Sequence, residues 1–286
     1  MDLQTNLLPR SLRELGYVEG QNIVIEQRFA NNKVDLLPAL ARELVDLRVD
    51  VIVAITAGSI IAAKNATSTT PIVFFGNFDP VAAGFVASLA NPGGNMTGIL
   101  IAPGGTLAAK KLEILTQAVP GTRRIAMLVP EDPLVSREQV PEARKAAAAL
   151  GIELTIVSVR GGDYAKAFAT IVASRPDSLF VTATSYFVTD RKPIIELAAK
   201  HRLPAIYEWP EQVEDGGLMA YGPNSLIAMN RRIAFYVDRI LKGAKAGDLP
   251  VEQPSKLELA INLKTAKAMG LALPQALLLR ADRLIE

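Results

Sequence analysis

The chain has no cysteine and a single histidine among its 286 residues. The lack of cysteine excludes disulfide bonds, thiol nucleophiles and cysteine-bound metals, although it does not identify the compartment, since secreted proteins can also lack cysteine. The histidine, His201, ends the helical pattern of AAKHRLP, where a basic residue ordinarily faces a helix C-terminus. We therefore predict no catalytic residue, no metal site and no cofactor.

Strong charge imbalance and long apolar runs are also missing. The sequence has 31 Lys and Arg against 29 Asp and Glu, and the basic residues are scattered. A nucleic-acid partner would require them to cluster on one face, so none is expected. No run approaches the roughly 20 apolar residues that span a bilayer. The first residues, MDLQTNLLPRSLRELGY, lack the basic and continuous apolar regions of a signal peptide.

What the sequence does contain is a regular alternation of strand-like and helical patterns, typical of parallel sheets covered by helices on both faces. Strands are predicted at 23–28, 51–55, 72–75, 96–100, 124–129, 153–157, 178–182, 205–207 and 218–221. Helices are predicted at about 36–47, 59–66, 81–89, 107–118, 141–150, 164–173, 187–200 and 226–241. A second series begins near Arg124, after the connector Ile101–Thr106, so the fold class is a two-lobed α/β protein with doubly wound parallel sheets.

Two loops in the first series follow predicted strands and lead into predicted helices. Ligands of open parallel sheets bind at such carboxyl ends, where helix N-termini favour an anionic group. The candidate binding residues in these loops are Thr56, Ala57, Ser59, Asn77, Phe78 and Asp79. Ser59 and Asp79 are equally explained as helix caps. Phe78 has no obvious core stripe to join, which favours a binding role.

The second series offers matching ends after two of its strands. Ser185 and Tyr186 follow one strand, while Glu208 and Trp209 follow the next. An aromatic ring beside a carboxylate suits a ligand with an apolar body and an ammonium group. The alternative is that Trp209 packs at the rim and Glu208 is solvated.

The glycine-rich stretch NPGGNMTG lacks the ending of a phosphate-binding loop. It precedes a predicted strand, whereas a dinucleotide fingerprint follows one. We interpret it as a turn, and no nucleotide is implied.

Several longer stretches resemble one protein family. They are LRELGYVEGQNIVIEQRFA, LPALARELVDLRVDVIVA, AAKNATSTTPIVFFGNFDPVAAGFVASLANPGGNMTG, KLEILTQAVP, HRLPAIYEW, GGLMAYGP and VDRILKGAKAGDLPVEQPSKLELAINLKTAKAMGL. This text is similar to the solute-binding proteins of ABC importers related to tryptophan/tyrosine-binding lipoproteins, on the type I periplasmic-binding-protein fold.

The resemblance implies two lobes joined by three crossings and closing on a small amphipathic ligand, such as an amino acid or an aromatic relative. The N-terminal lobe would comprise 1–102 plus about 224–250, and the C-terminal lobe 103–223 plus about 251–286. The candidate loops would bind the ligand, with Tyr221 near the hinge. The resemblance also implies a membrane permease as partner and a periplasmic or cell-surface location.

The N-terminus departs from the family pattern, in which an export signal and a first β-strand precede the helix of LRELGYVEGQN. We expect the N-terminal lobe to lack that central strand, with Arg10–Leu15 helical and Ile23–Arg28 the first strand. The exposed edges would lower stability or pair with a second copy as a homodimer.

Two other functional classes remain open from the residues. One is the ligand-sensing effector domain of a regulator, which needs an attached signalling module. The other is a nucleotide-sugar or nicotinamide enzyme on a doubly wound fold, which needs a nucleotide signature and a polar catalytic set. The leading hypothesis is a binding protein that is not an enzyme.

Overall fold

The computed structural model describes residues 3–31, 33–102, 107–131, 133–254 and 256–286. The chain forms two compact units, Met1–Ile101 with Leu226–Pro254, and Ala102–Ser225 with Ser255–Glu286. It passes from one unit to the other three times. The family resemblance predicts these passages near 102, 223 and 250. Part of the predicted connector, 103–106, lies outside the described residues.

The first unit contains a three-stranded parallel sheet in the order β1-β2-β3. Its elements are α1 (Leu3–Glu14), a short 3₁₀ helix (Val34–Leu36), α2 (Leu37–Asp46), β1 (Ile52–Ala54), α3 (Ala57–Ala66), β2 (Ile72–Gly76), β3 (Met96–Leu100) and α10 (Leu226–Leu241).

The two edges of this sheet differ. The outer edge of β3 is covered by the returning chain, because Glu252 accepts from the N–H of Leu100 and donates to the carbonyl of Gly98. No strand in the described part of the chain pairs with the outer side of β1. Within the described residues, the β3 edge of the sheet is therefore hydrogen-bonded to neighbouring chain and the β1 edge is not paired with a strand.

The N-terminal helix α1 packs against α10. Leu7 and Leu12 are buried. Glu14 forms an ion pair with Arg231, with 2.7 Å between Oε2 and Nε, and the Tyr17 hydroxyl donates a hydrogen bond to Asp238 at 2.9 Å. The prediction that Arg10–Leu15 is helical is confirmed through Glu14, and the helix extends back to Leu3.

The predicted strand Ile23–Arg28 is wrong. Ile23 forms only an isolated bridge with Glu19, and the residues that follow it pair with no strand. Val24 is 76% exposed and Phe29 56%. The residues have strand-forming composition, but a strand requires a hydrogen-bonded neighbour. The first regular strand is therefore β1.

The predicted helix 81–89 is also wrong, because the chain there forms a series of turns. The Asp79 carboxylate accepts from the N–H groups of Val81 and Ala82, at 2.9 and 3.0 Å. Gly84 has φ +69°, a left-handed conformation that ends a helix. Local hydrogen bonds outweigh the apolar pattern in this segment.

The second unit contains a seven-stranded sheet in the order β10-β9-β8-β7-β6-β4-β5, parallel except for the antiparallel pair β8–β9. Its strands are β4 (Arg124–Pro130), β5 (Glu153–Val159), β6 (Ser178–Val181), β7 (Ala205–Tyr207), β8 (Met219–Pro223), β9 (Leu257–Asn262) and β10 (Arg283–Ile285). Its helices are α4 (Ala108–Ala118), α5 (Pro133–Ala149), α6 (Tyr164–Ala173), α7 (Ser185–Thr189), α8 (Arg191–Lys200), α9 (Pro210–Glu214), α11 (Leu263–Met269) and α12 (Gln275–Leu278).

Successive residues of β4 point to opposite faces of this sheet. Met127 packs into a cluster with residues of α4 and α5, whereas Leu128 packs into a second cluster with residues of α6 and α8. Burial on both faces explains why the strand sequences are apolar without alternation. The predicted doubly wound α/β architecture is confirmed.

The helix predicted over 187–200 is divided at Asp190, which ends α7 and precedes α8. Its carboxylate accepts from the Tyr164 hydroxyl at 2.5 Å, a long-range contact that holds the break. His201 is the C-cap residue of α8 and stacks against Phe168. Among the described residues, no helix has the length and apolarity needed to cross a membrane.

Candidate ligand-binding site

The loop after β1 begins α3 with a reciprocal capping box. Thr56 Oγ1 accepts from the N–H of Ser59 at 3.2 Å, and Ser59 Oγ accepts from the N–H of Thr56 at 2.9 Å. Ser59 Oγ also donates to the Thr56 carbonyl at 2.8 Å. Both hydroxyl groups therefore cap the N-terminus of α3, as the capping interpretation of Ser59 predicted.

This capping leaves two helix N–H groups without an acceptor in the described part of the chain, those of Ala57 and Gly58. The four residues from Thr56 to Ser59 are partly exposed. A ten-residue helix presenting free N–H groups attracts an anion through both hydrogen bonding and its dipole. The end of α3 is thus suited to a carboxylate.

The loop after β2 contains Asn77 and Asp79. The Oδ1 atom of Asn77 is buried and has no hydrogen-bond donor among the described residues. Asp79 is exposed and acts as the turn residue described above. A buried acceptor without a donor is costly, so Asn77 Oδ1 is the atom in this loop that favours a ligand.

The expectation that Phe78 lacks a core to join is wrong. Its side chain is 1% exposed, and its ring lies 5.5 Å from that of Phe74 and 5.4 Å from that of Phe85. A Cβ built on Gly76 would lie 2.6 Å from the Phe78 ring, so the glycine provides the room for it. Phe78 is a core residue of the first unit.

In the second unit, the loop after β6 leads into α7. Ser185 is buried and Tyr186 is half-buried against the cluster under α6 and α8. The loop is held by Gln139 of α5, whose amide donates to the Ala183 carbonyl at 2.9 Å and accepts from the Ala183 N–H at 3.2 Å.

The next loop, after β7, contains a buried ion pair. Lys111 of α4 donates to Oε2 of Glu208, and both side chains are 2% exposed. Oε1 of Glu208 is buried without a hydrogen-bond donor among the described residues. Burial raises the pKa of Glu208, while the charge and hydrogen bond of Lys111 act in the opposite direction.

Trp209 follows Glu208 and is 1% exposed. The amide oxygen of Gln212 accepts from the N–H groups of Glu208 and Trp209, at 3.1 and 3.0 Å, and its nitrogen donates to the Phe187 carbonyl at 3.3 Å. Gln212 thereby joins the two candidate loops of this unit. The prediction of a solvated Glu208 is wrong, since the carboxylate is buried and paired.

Tyr221 and Gly222 lie within β8 and pair with β9, a few residues before the chain passes to the first unit after Ser225. Tyr221 is half-buried against the α4 and α5 side of the sheet. A Cβ built on Gly222 would lie 2.3 Å from the Glu208 carbonyl oxygen and 2.9 Å from Oε1.

Sequence reasoning missed Lys111, Gln139 and Gln212, which hold the candidate loops in place. One signal for Lys111 was present. It falls at an inward position of the helical pattern, three residues after buried Ala108 and four before buried Leu115. A lysine there requires a buried counter-charge.

The family model described as "ABC transporter substrate binding protein" matches residues 1–285. The chain belongs to this family of substrate-binding proteins. The match favours the transport hypothesis over the regulator and enzyme alternatives, and it confirms the family resemblance noted in the sequence.

Individual relatives are consistent with this assignment. The chain is 26% identical over 262 residues to a tyrosine-binding protein of Clostridioides difficile, covering 92% of this chain and 75% of that protein. A conserved domain protein from Vibrio cholerae superposes with a TM-score of 0.85 at 26% identity, covering 98% of this chain and 93% of the other. An ABC domain from Streptococcus pneumoniae in complex with L-Trp superposes with a TM-score of 0.84 at 23% identity, covering 100% and 97%.

Proposed function

We propose that this protein binds a free amino acid, or a similar small zwitterion with an apolar or aromatic body, for an ABC importer. The observation that carries the proposal lies in the second unit, where Oε1 of Glu208 is a buried acceptor with no donor among the described residues. The first unit, taken by itself, adds the N–H groups of Ala57 and Gly58 at the N-terminus of α3.

Each feature, considered separately, suits one charged group of an amino acid. A carboxylate is bound by helix N–H groups, and an ammonium donates to a buried carboxylate oxygen. Asn77 Oδ1 is a further acceptor for a ligand N–H. The remaining candidates are Thr56, Ser59 and Asp79 in the first unit, and Ser185, Tyr186, Trp209 and Tyr221 in the second. Phe78 would support the first-unit candidates from the core of that unit.

The names of two relatives support the choice of an aromatic amino acid. One is called a tyrosine-binding protein, and another was solved in complex with L-Trp. We therefore propose L-tyrosine and L-tryptophan as the first ligands to try.

A thermal-shift screen over the twenty amino acids, several sugars and inorganic anions tests the proposal. A ligand at about 100 times its Kd adds roughly 2.7 kcal/mol of stability. We expect an aromatic amino acid to raise the melting temperature. Tryptamine, which lacks the carboxylate, and indole-3-propionate, which lacks the ammonium, should each bind more weakly than L-tryptophan. A shift with sugars or inorganic anions alone would contradict the ligand class.

We further propose that the protein releases its ligand unchanged, to a membrane permease, and that it works in the periplasm or at the cell surface. The described residues hold no cluster of His, Asp or Glu suited to a metal. Recovery of chemically intact ligand after long incubation tests the first part, and stimulation of the permease ATPase by the liganded protein tests the second.

A homodimer through the first unit is also proposed. The open edge of β1 and the exposed side chains of Val24, Phe29 and Leu47 lie in this unit. Edges of this kind pair with other strands. Light scattering should give a dimer for the wild type and a monomer for Phe29→Lys, which places a charge on the exposed apolar surface of this unit. A monomer in both cases would contradict the proposal.

A further inference from the structure

The Glu208 side chain is held on three sides in the second unit. Lys111 of α4 occupies its Oε2 atom, Gln212 of α9 accepts from its backbone N–H, and Gly222 of β8 lies against its carboxylate and carbonyl. Among the described residues, Oε1 is left as a buried oxygen without a donor. One carboxylate oxygen and the backbone N–H of Glu208 are therefore held by neighbouring residues.

The Lys111 side chain is enclosed by the protein rather than exposed to solvent. Its side chain is 2% exposed, and its Nζ lies 5.6 Å from the centre of the Phe180 ring. A buried lysine and a buried glutamate together carry no net charge. A zwitterionic ligand preserves that balance, whereas an amine or an acid alone would add a buried charge.

We propose that Lys111 is the positioning residue of the ligand site: by occupying Oε2 it orients the Glu208 carboxylate so that Oε1 is left for a ligand N–H. This inference rests on the proposed function, because it assigns a role to Lys111 in binding the ammonium end of that ligand.

The charges around Glu208 make the role measurable. The neighbouring elements hold the titratable residues Lys110, Lys111 and Glu113 of α4, Tyr207 of β7, Glu211 and Glu214 of α9, and Tyr221 of β8. Lys111 is the charged group that opposes the effect of burial on the Glu208 pKa. Removing its ammonium leaves burial alone, so the carboxylate should take up a proton at higher pH.

The experiment is calorimetric titration with L-tyrosine and L-tryptophan between pH 5 and 8.5, on wild type, Lys111→Met and Lys110→Met. Lys110 is the matched control, because it is the adjacent residue of α4 and pairs with Glu113 at a partly exposed position. We expect Lys111→Met to move the pH midpoint at which affinity is lost upward. Lys110→Met should leave it unchanged, and Lys111→Arg should restore the wild-type profile.

A ligand-free measurement separates this inference from the proposed function. Trp209 is the only tryptophan of the chain and adjoins Glu208, so its fluorescence reports the ionisation of that carboxylate. We expect the fluorescence midpoint of Lys111→Met to lie above that of wild type. If Lys111→Met is poorly folded, the double variant Lys111→Met/Glu208→Gln, which has no buried charge, should fold and bind weakly at every pH.

The outcomes are distinct. Wild-type binding with an unchanged pH profile in Lys111→Met overturns the inference and leaves the proposed function standing. A shifted fluorescence midpoint with no binding of either amino acid to wild type overturns the proposed function, and with it the role of Oε1 as a ligand acceptor. Shifts in both measurements support the inference.

Discussion

Lys111 and Glu208 are 97 positions apart in the sequence and form an ion pair in which each side chain is 2% exposed. The pair joins α4 to the loop after β7. Because both charges are removed from water, each is stabilised by its attraction to the other. This dependence determines how the second unit should respond to substitution.

We expect Lys111→Met to lower the free energy of unfolding at pH 7 by about 3–5 kcal/mol, the usual cost of removing one partner of a buried pair. The double variant Lys111→Met/Glu208→Gln should be more stable than Lys111→Met, because it leaves no unpaired charge. Urea unfolding followed by Trp209 fluorescence measures both. A double variant less stable than the single variant would contradict this account.

A methyl group at Gly222 should be destabilising. The added Cβ would meet the Glu208 carbonyl oxygen at 2.3 Å, and a backbone atom cannot rotate away as the end of a side chain can. We expect Gly222→Ala to cost about 1–3 kcal/mol and to weaken ligand binding.

Gly58→Ala is the matched control for that substitution. Its Cβ would meet only the end of the Leu37 side chain, at 2.7 Å, and alanine favours a helix over glycine by about 1 kcal/mol. Thermal unfolding should therefore show Gly58→Ala near wild type. Equal losses in the two variants would mean that contact with the backbone is not the deciding factor.

Phe78→Ala should destabilise the first unit by about 3–5 kcal/mol, because its fully buried ring contacts Phe74 and Phe85. Leu279→Ala, at a side chain that is 80% exposed, should change stability by less than about 0.5 kcal/mol. Chemical denaturation checks both. Unchanged stability of Phe78→Ala with lost ligand binding would instead identify the ring as a ligand contact.

Asp177 should contribute an acid-sensitive part of the stability. Its Oδ2 accepts from the N–H groups of Arg123 and Arg124, each at 2.8 Å, and these bonds lower the pKa of Asp177. A lowered folded-state pKa stabilises the protein above the unfolded value of about 3.9, and that stability is lost as the pH falls through the folded value.

Urea unfolding between pH 2.5 and 6 tests this for wild type and Asp177→Asn. The wild type should lose stability more steeply below about pH 4 than the variant, which has no carboxylate to protonate at this position. Asp177→Ala should be less stable than Asp177→Asn at pH 6, because asparagine can still accept a hydrogen bond. Parallel pH curves for wild type and Asp177→Asn would contradict the assignment.

The regular elements were predictable where local pattern and burial agree. The bounds predicted for 96–100, 164–173, 205–207 and 226–241 are those observed. In each case the residues that form the element also supply its buried face, so the periodicity of the chain carries the information.

The predictions failed where a distant or backbone partner decides the conformation. Ile23–Arg28 has the composition of a strand but finds no neighbour to pair with, and 81–89 is turned by the Asp79 carboxylate and Gly84. The break at Asp190 depends on the Tyr164 hydroxyl, 26 positions away. The Tyr164 hydroxyl cannot be recognised from a short window of sequence, whereas Asp79 and Gly84 lie within such a window and were given less weight than the apolar pattern.

For the candidate site, the sequence by itself determined which loops end the strands, because apolar runs stop at Thr56, Asn77 and Glu208. It also determined the small residues that leave helix N–H groups open. Only the tertiary structure decided that Phe78 belongs to a core and that Glu208 is paired with Lys111. The physical reason is that loop position follows from local periodicity, whereas the environment of a side chain is set by packing between elements far apart in the chain.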